Sequence, residues 1–183
     1  LDRVTISDGI ALTEVSGQLA PGRGLAGGFT GRVNGSAPVS GEFGASDYGT
    51  AVRVTSGDAG AVLSAAGIFP NARGGTLRMT LTPREAGGYR GRAELASFRV
   101  RNTPIIAELL NAISVVGLLE QLDGGGVLFA NAEADFRIAA NAIELTRASA
   151  VGASIGVSLA GLYDMGSRRL DMQGVISPVY LVN

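Results

Sequence analysis

The sequence predicts a mainly β protein, a long curved antiparallel meander that forms a groove and carries two short α-helices. Three observations lead to this fold class. Apolar and polar residues alternate with a period of two along most of the chain, short turn motifs separate the alternating runs, and two segments break the alternation. We expect residues 1–183 to form a single taco-like β-groove unit, with one of the helices capping an end.

The composition limits the kinds of function. The 183 residues carry a formal net charge of −1, and 46% are hydrophobic while only 5% are aromatic. A near-neutral charge argues against a nucleic-acid partner, which would require a basic surface. The chain also begins in the middle of an alternating run, "LDRVTIS". We therefore expect a fragment of a longer chain.

The residue types that are missing restrict the chemistry. The sequence has no His, Cys or Lys. Serine, cysteine and Schiff-base catalysis therefore lack their usual bases and nucleophiles, and a typical zinc site lacks its ligands. We expect no enzyme, no cofactor and no metal. A carbohydrate-active enzyme that uses only carboxylates stays open as an alternative, with Glu133 and Asp135 or Asp164 and Asp171 as its candidate pairs.

Alternation is clearest in "VLFANAEADFRI". It places one set of apolar residues on a common face, namely Leu128, Ala130, Ala132, Ala134, Phe136 and Ile138. The same pattern returns in four shorter runs, at 52–55, 77–82, 154–159 and 170–176. Turn motifs separate the runs at Asn34-Gly35, from Glu85 to Gly88 and from Asp164 to Arg168. Strands joined by short turns predict an antiparallel meander.

The first interruption predicts a helix from Asp58 to Phe69, with Asp58 as the N-cap and Pro70-Asn71 as the stop. The second is "NTPIIAELLNAISVVGLLEQLDGGG", in which Thr103 is the expected N-cap and Pro104 the first helical residue. Glycines and a long strand follow both helices. Residues 58–102 and 103–150 therefore form a weak internal repeat.

The second helix is predicted to be amphipathic. Its apolar face consists of Ile105, Ile106, Leu109, Leu110, Ile113 and Val116. The apolar run from Pro104 to Leu119 is too short for a membrane span and contains Glu108. We expect this helix to cover one end of the sheet.

Two nucleotide- and hydrolase-type motifs are chance matches. Gly22–Gly27 fits G-x-G-x-x-G and Gly152–Gly156 fits G-x-S-x-G. Both mechanisms need a helix that starts at the motif, and the second also needs a histidine base. Both matches lie in alternating runs, so neither predicts a site.

A wide sheet with one apolar face must bury that face against a second sheet, by closing on itself, or around an apolar ligand. The predicted groove lining is Leu128, Phe136, Ile138, Ile143, Leu145, Ile155, Val157, Leu159, Leu170 and Met172. The charged residues expected to point outward are Glu133, Asp135, Arg137, Glu144 and Asp171. The composition alone favours a packed, dry β core over a groove that holds acyl chains.

Three stretches resemble one family. "NTPIIAELL", the glycines before "VLFANAEADF", and the close "AGLYDMGSRRLDMQGVISPVYLVN" are similar to the C-terminal region of the AsmA-like, YhdP-type periplasmic bridge-like lipid transfer proteins. The matching features are Thr103-Pro104 before an apolar helix, Gly161, Tyr163 and Asp164 in a strand, and the ending from Leu170 to Asn183. The resemblance covers roughly residues 95–183.

The resemblance implies a function and a location. It implies a non-enzymatic lipid-handling segment whose apolar groove takes phospholipid acyl chains in transport between the inner and outer membranes. It implies the periplasmic part of a Gram-negative envelope protein anchored in the inner membrane. The implied partners are phospholipid, the rest of its own longer chain and outer-membrane components. The alternative is a structural or assembly-assisting periplasmic β domain with a dry core and no ligand.

The predicted capping helix can be tested by substitution. We expect Leu109→Asp or Ile113→Asp to destabilise the fold by about 3 kcal/mol, because either change buries an unpaired charge. Glu108→Ala should have little effect. Thermal melts of the three variants measure this, and equal melting temperatures would contradict the capping role.

Overall fold

A computed structural model describes residues 1–7, 9–21, 24–101, 126–153, 155–167 and 169–178. It confirms the predicted fold class, because these residues form one open, curved, 12-stranded antiparallel sheet and one short helix. In chain order the elements are β1 (Arg3–Ser7), β2 (Ile10–Pro21), β3 (Leu25–Val33), β4 (Ala37–Ser46), β5 (Gly49–Ser56), α1 (Ala59–Ala65), β6 (Ala72–Arg73), β7 (Thr76–Pro83), β8 (Tyr89–Val100), β9 (Val127–Ile138), β10 (Ala142–Gly152), β11 (Ile155–Asp164) and β12 (Arg169–Pro178).

The sheet is a meander in which each strand pairs with the next along the chain. The short strand β6 is the exception, since it pairs with the end of β8 beyond the point where β7 begins. In the described part of the chain, β1 and β12 are therefore the two edges of the sheet.

The predicted turns connect the strands as expected. Asn34, Gly35 and Ser36 join β3 to β4, and the Ser36 N–H donates to the Val33 carbonyl oxygen at 3.0 Å. Asn34 and Gly35 have φ angles of 46° and 76°, the left-handed pair that the centre of a type I′ turn requires. Glu85 to Gly88 lies between β7 and β8, and the turn after Asp164 leads into β12. These residues fold the chain back on itself and produce the meander.

Several strands contain a β-bulge, one extra residue that is not paired with the neighbouring strand. In β10 the pairing with β9 passes from Leu145 to Arg147, which leaves Thr146 unpaired, and in β9 Ala130 is the extra residue against β10. Ser97 of β8 is a different irregularity, because Ser97 and Ala130 opposite it are both unpaired with no shift of register between β8 and β9, and Ser97 adopts a left-handed φ of 56°. A bulge bends a strand and increases its twist, which favours a curved sheet.

Helix α1 begins where the sequence predicts and ends earlier. The Asp58 carboxylate accepts a hydrogen bond from the Ala61 N–H at 2.8 Å, as an N-cap does. The predicted end near Phe69 is wrong, because Gly67 takes a left-handed φ of 72° directly after Ala66 and stops the helix there. The second predicted helix, from Pro104 onwards, lies outside the described residues.

Helix α1 joins the two buried clusters of the sheet. Leu63 packs against the first cluster, which consists of Phe98, Val100, Val127, Phe129 and Ile155. Ala61, Val62 and Ala65 pack against the second cluster, which consists of Val33, Ala37 and Val39. The rings of Phe98 and Phe129 stack with their centroids 5.4 Å apart. One short helix therefore covers one end of the apolar face.

The left-handed conformation of Ser97 in β8 makes a stability prediction. Because Ser97 has a positive φ, we expect Ser97→Gly to stabilise the fold by up to about 1 kcal/mol. Ser97→Val should destabilise it, since a β-branched residue fits this conformation worst.

Ser149, in the regular part of β10, is the matched control. Ser149→Gly should destabilise by about 0.5–1 kcal/mol, because glycine weakens a regular strand. Chemical denaturation of the three variants gives the free energies of unfolding, and the same sign for the two glycine variants would contradict the left-handed assignment.

Candidate functional site

Cross-strand pairing shows which residues share a face, because directly opposite residues in an antiparallel sheet point to the same side. One unbroken apolar row crosses six strands. From β7 to β12 it consists of Leu77, Leu95, Ala132, Ala150, Val157 and Ile176. The sheet therefore has one continuous apolar face on these strands.

Three further rows belong to the same face. The first consists of Met79, Ala93, Ala134, Ala148, Leu159 and Gly174. The second consists of Leu81, Gly91, Phe136, Leu145, Gly161 and Met172. The third consists of Pro83, Tyr89, Ile138, Ile143, Tyr163 and Leu170. With Ile155 in the buried cluster, the structure brings all the predicted lining residues except Leu128 onto one face.

The predicted position of Leu128 on this face is wrong. Leu128 pairs with Arg99 and is 39% exposed, whereas its neighbours Val127 and Phe129 are buried in the core. The bulge at Ala130 shifts the alternation by one residue within β9. Simple alternation across that bulge assigned Leu128 to the wrong side.

The middle of the apolar face is a trough floored by small side chains. Ala134 of β9 lies between Ala93 of β8 and Ala148 of β10, whereas Ala132 of β9 lies between Leu95 of β8 and Ala150 of β10. All five alanines are partly exposed. In the Ala134 row the floor is flanked by larger side chains on β7 and β11, which lie roughly 19 Å apart at about 4.8 Å per strand, and in the Ala132 row Leu95 makes the floor narrower. We call this region the alanine trough.

Several large side chains lie flat on the sheet because a glycine faces them in the next strand. A Cβ atom at Gly91 would overlap the ring of Phe136, and one at Gly41 would overlap the ring of Phe29. A Cβ at Gly174 would likewise meet the side chain of Leu159. The glycines let these groups fold down onto the backbone. These side chains therefore rise only a short distance above the backbone of the apolar face.

Cover over this face is uneven. The residues beneath α1 are buried, but the face becomes more exposed towards β12, where Leu170 is 66% and Met172 39% exposed. Among the described residues, α1 is the only helix that packs on the sheet. Ala132 and Ala150 of the trough pack against the first buried cluster, and Ala93, Ala134 and Ala148 lie beyond it.

The opposite face is polar and is linked by arginines. The Arg92 guanidinium contacts three carboxylates, those of Glu133 at 2.8 Å, Glu94 at 3.0 Å and Asp135 at 3.3 Å. These contacts raise the pKa of Arg92, chiefly through the hydrogen bond to Glu94. Arg147 also contacts Asp135 at 2.8 Å.

The charged residues predicted to point outward lie on this polar face. Arg137 pairs with Glu144 across β9 and β10, and their side chains meet at 3.1 Å. Asp171 lies in the same row, opposite Leu162. The Glu133 and Asp135 carboxylates, one of the pairs considered for sugar hydrolysis, both bind Arg92 and are partly exposed.

Two shallow depressions, of about 660 and 680 Å³, also lie on the polar face of β2 to β7. Hydroxyl side chains and glycine backbone line them, including Ser16, Thr30, Ser40 and Thr55. They are open to solvent and lie on the side of the sheet opposite the alanine trough. The Glu42–Arg53 ion pair at the first depression is exposed, and the buried Ser56 hydroxyl at the second donates a hydrogen bond to the Pro38 carbonyl oxygen at 2.7 Å. Neither group is left to bind a ligand, so the trough is the stronger candidate.

Comparisons with protein-family models, with curated proteins and with solved structures found no match. Within the described ranges, no helix has the length and apolarity needed to cross a membrane. In the same part of the chain, no three side chains of the metal-binding types come together as a possible ion site.

The turn between β11 and β12 makes a pH prediction. The Asp164 carboxylate accepts hydrogen bonds from the Ser167 N–H at 2.7 Å and hydroxyl at 2.9 Å, and these lower its pKa below the ordinary value of 3.8. A lowered pKa adds stability that is present above the ordinary value and is lost as the pH falls through the lowered one.

Asp164→Asn keeps an acceptor oxygen but cannot titrate. We expect wild type to melt higher than this variant near about pH 6, and the difference to shrink towards about pH 2. Melting curves across this range measure it. A difference that is constant with pH would show that the turn carboxylate does not contribute through its charge.

Proposed function

We propose that this chain is a non-enzymatic lipid-handling segment whose apolar groove takes phospholipid acyl chains. The observation that carries the proposal is the alanine trough, a wide apolar surface that the described helix leaves uncovered. A soluble protein normally buries such a face. An apolar ligand of suitable size would bury this one.

The chemistry of the face fits an acyl chain. From β7 to β12 its described residues carry no charge, and the tyrosines of its outermost row, Tyr89 and Tyr163, are its principal polar side chains. Burial of one methylene group stabilises a complex by about 0.8 kcal/mol. A surface of this kind can hold alkyl chains without leaving a polar group unpaired.

The surroundings that we propose follow from the sequence resemblance. The chain would belong to an AsmA-like envelope protein anchored in the inner membrane, with this segment in the periplasm. It would guide phospholipid between the inner and outer membranes, together with the rest of its own chain and outer-membrane components. A sheet with one apolar and one polar face is compatible with a periplasmic lipid-handling segment, and so is the absence of cysteine.

A second candidate is a structural or assembly-assisting periplasmic domain with a dry core. The packed clusters beneath α1 favour it, since their large side chains are already buried against one another. The two functions differ in one property. Only the lipid-handling function requires a ligand on the alanine trough.

Native mass spectrometry of the chain expressed in bacteria tests the proposal. We expect phospholipid to copurify with wild type. Ala134→Trp should still fold but should carry several-fold less lipid, because its indole fills the trough at the centre of the floor.

Ser149→Trp is the matched control, since Ser149 lies on the polar face directly opposite Glu133. This variant should keep the lipid of wild type. If wild type carries no lipid, the dry-core candidate replaces the proposal. Equal lipid in both tryptophan variants would show that lipid binds elsewhere.

A further inference from the structure

The Asn34 side chain holds separate parts of the fold together. Its amide nitrogen donates hydrogen bonds to the carbonyl oxygens of Gly9, between β1 and β2, and of Ala65, the last residue of α1, each at 2.7 Å. Its amide oxygen accepts a hydrogen bond from the Ala11 N–H of β2 at 2.9 Å. The β3–β4 hairpin is therefore tied to β2 and to the end of α1 through one side chain.

Asn34 is also the one asparagine of the sequence that glycine follows. In such a pair the glycine nitrogen can attack the side-chain amide carbon of the asparagine, because glycine has no side chain to obstruct the approach. A bond forms between the Gly35 nitrogen and this carbon, the bond from the carbon to the amide nitrogen breaks, and ammonia leaves with the proton of the Gly35 nitrogen. Water then opens the cyclic imide. The product is aspartate, or isoaspartate, which continues the chain through its side-chain carbon.

The structure leaves the attacking group available and holds the group that is attacked. The Gly35 N–H has no hydrogen-bond partner among the residues that the structure describes, and Asn34 is exposed, so water reaches the turn. The Asn34 amide, by contrast, uses both of its N–H hydrogens and its oxygen. Its carbon can turn towards the Gly35 nitrogen only when these three hydrogen bonds break. Three hydrogen bonds of ordinary net strength slow such a step about 100-fold.

The product does not restore the tie. An aspartate carboxylate has no hydrogen to donate to the Gly9 and Ala65 carbonyl oxygens, and these oxygens repel it. The last turn of a helix also disfavours a negative charge. Isoaspartate adds a backbone carbon to the turn, which changes the geometry that joins β3 to β4. Helix α1 then loses a contact beside the second buried cluster, on which its residues Ala61, Val62 and Ala65 pack.

We propose that Asn34 is a modification site that is controlled by the docking of α1. While α1 is docked, the amide is held and reacts slowly. When α1 separates from the β3–β4 hairpin, the amide reacts with the Gly35 nitrogen, and the aspartate or isoaspartate that forms weakens the docking of α1 from then on. This inference does not depend on lipid or on the proposed function.

Mass spectrometry with peptide mapping tests the site on the full chain, by measuring loss of the amide at each asparagine in mildly alkaline buffer. We expect Asn34 to react about 100-fold more slowly in the folded chain than in the chain unfolded in urea. Asn141, which lies in the turn between β9 and β10 and precedes an alanine, is the internal reference and should react slowly in both states. Equal rates at Asn34 in the two states would overturn the proposal.

A substitution in α1 tests the control by docking. Val62→Asp places a charge against the second buried cluster and should speed the reaction at Asn34 at least several-fold. Val62→Ala, a milder change, should speed it less, and it keeps the test valid if Val62→Asp unfolds the chain. Ile68→Asp is the matched control, since Ile68 follows the same helix and is 57% exposed. A folded Val62 variant that reacts no faster than Ile68→Asp would overturn the control by α1.

Hydrogen exchange tests the effect of the product. In Asn34→Asp the amides of α1, such as the Ala66 N–H that donates to the Val62 carbonyl oxygen, should exchange several-fold faster than in wild type. Asn141→Asp makes the same chemical change in another turn and should leave the exchange of α1 as it is in wild type. Unchanged exchange in Asn34→Asp would show that α1 docks without the amide, and it would overturn the proposal.

Discussion

The architecture depends on one constraint. Each cross-strand row on the apolar face must stay apolar from one strand to the next. In a sheet with one apolar face, a slip of one residue would move a whole run of side chains to the wrong side. The bulges respect this constraint. In β10 the apolar residues are two apart before Thr146 and three apart across it, from Leu145 to Ala148. The sequence pattern thus shifts where the backbone shifts, and the rows remain continuous.

A spacing of three between successive apolar residues does not fit a strict period of two, so a prediction from alternation alone misses it. The apolar residues of β9 run from Phe129 to Ala132 across the bulge at Ala130, but the run "VLFA" is apolar at every position. Either register fits it, and the wrong choice placed Leu128 in the groove. A step of three in Leu95 to Phe98 and in Leu145 to Ala148 is the signal that would have indicated a shift.

Most of the fold could be predicted from the sequence because turns and alternation are local properties. Asn34-Gly35 specifies its hairpin by backbone conformation alone, and Asp58 specifies the start of α1 through one hydrogen bond. The flat packing of Phe136 on Gly91 could not be predicted, because it joins residues of different strands whose register was not known. For the same reason the trough appeared in the sequence only as small residues in one strand, Ala132 and Ala134. Its other members come from neighbouring strands.

The alanine floor has an energetic consequence. A larger residue at Ala134 or Ala148 would bury more apolar area and stabilise the sheet, yet both positions hold the smallest apolar side chain with a Cβ. The apolar packing is concentrated instead at one end, under α1, while the backbone ladder joins the remaining strands and exposed arginine pairs add contacts across β8, β9 and β10. A ligand that binds only the folded chain adds its binding free energy to the stability of that chain. An acyl chain on the trough would therefore supply the burial that the alanines leave out.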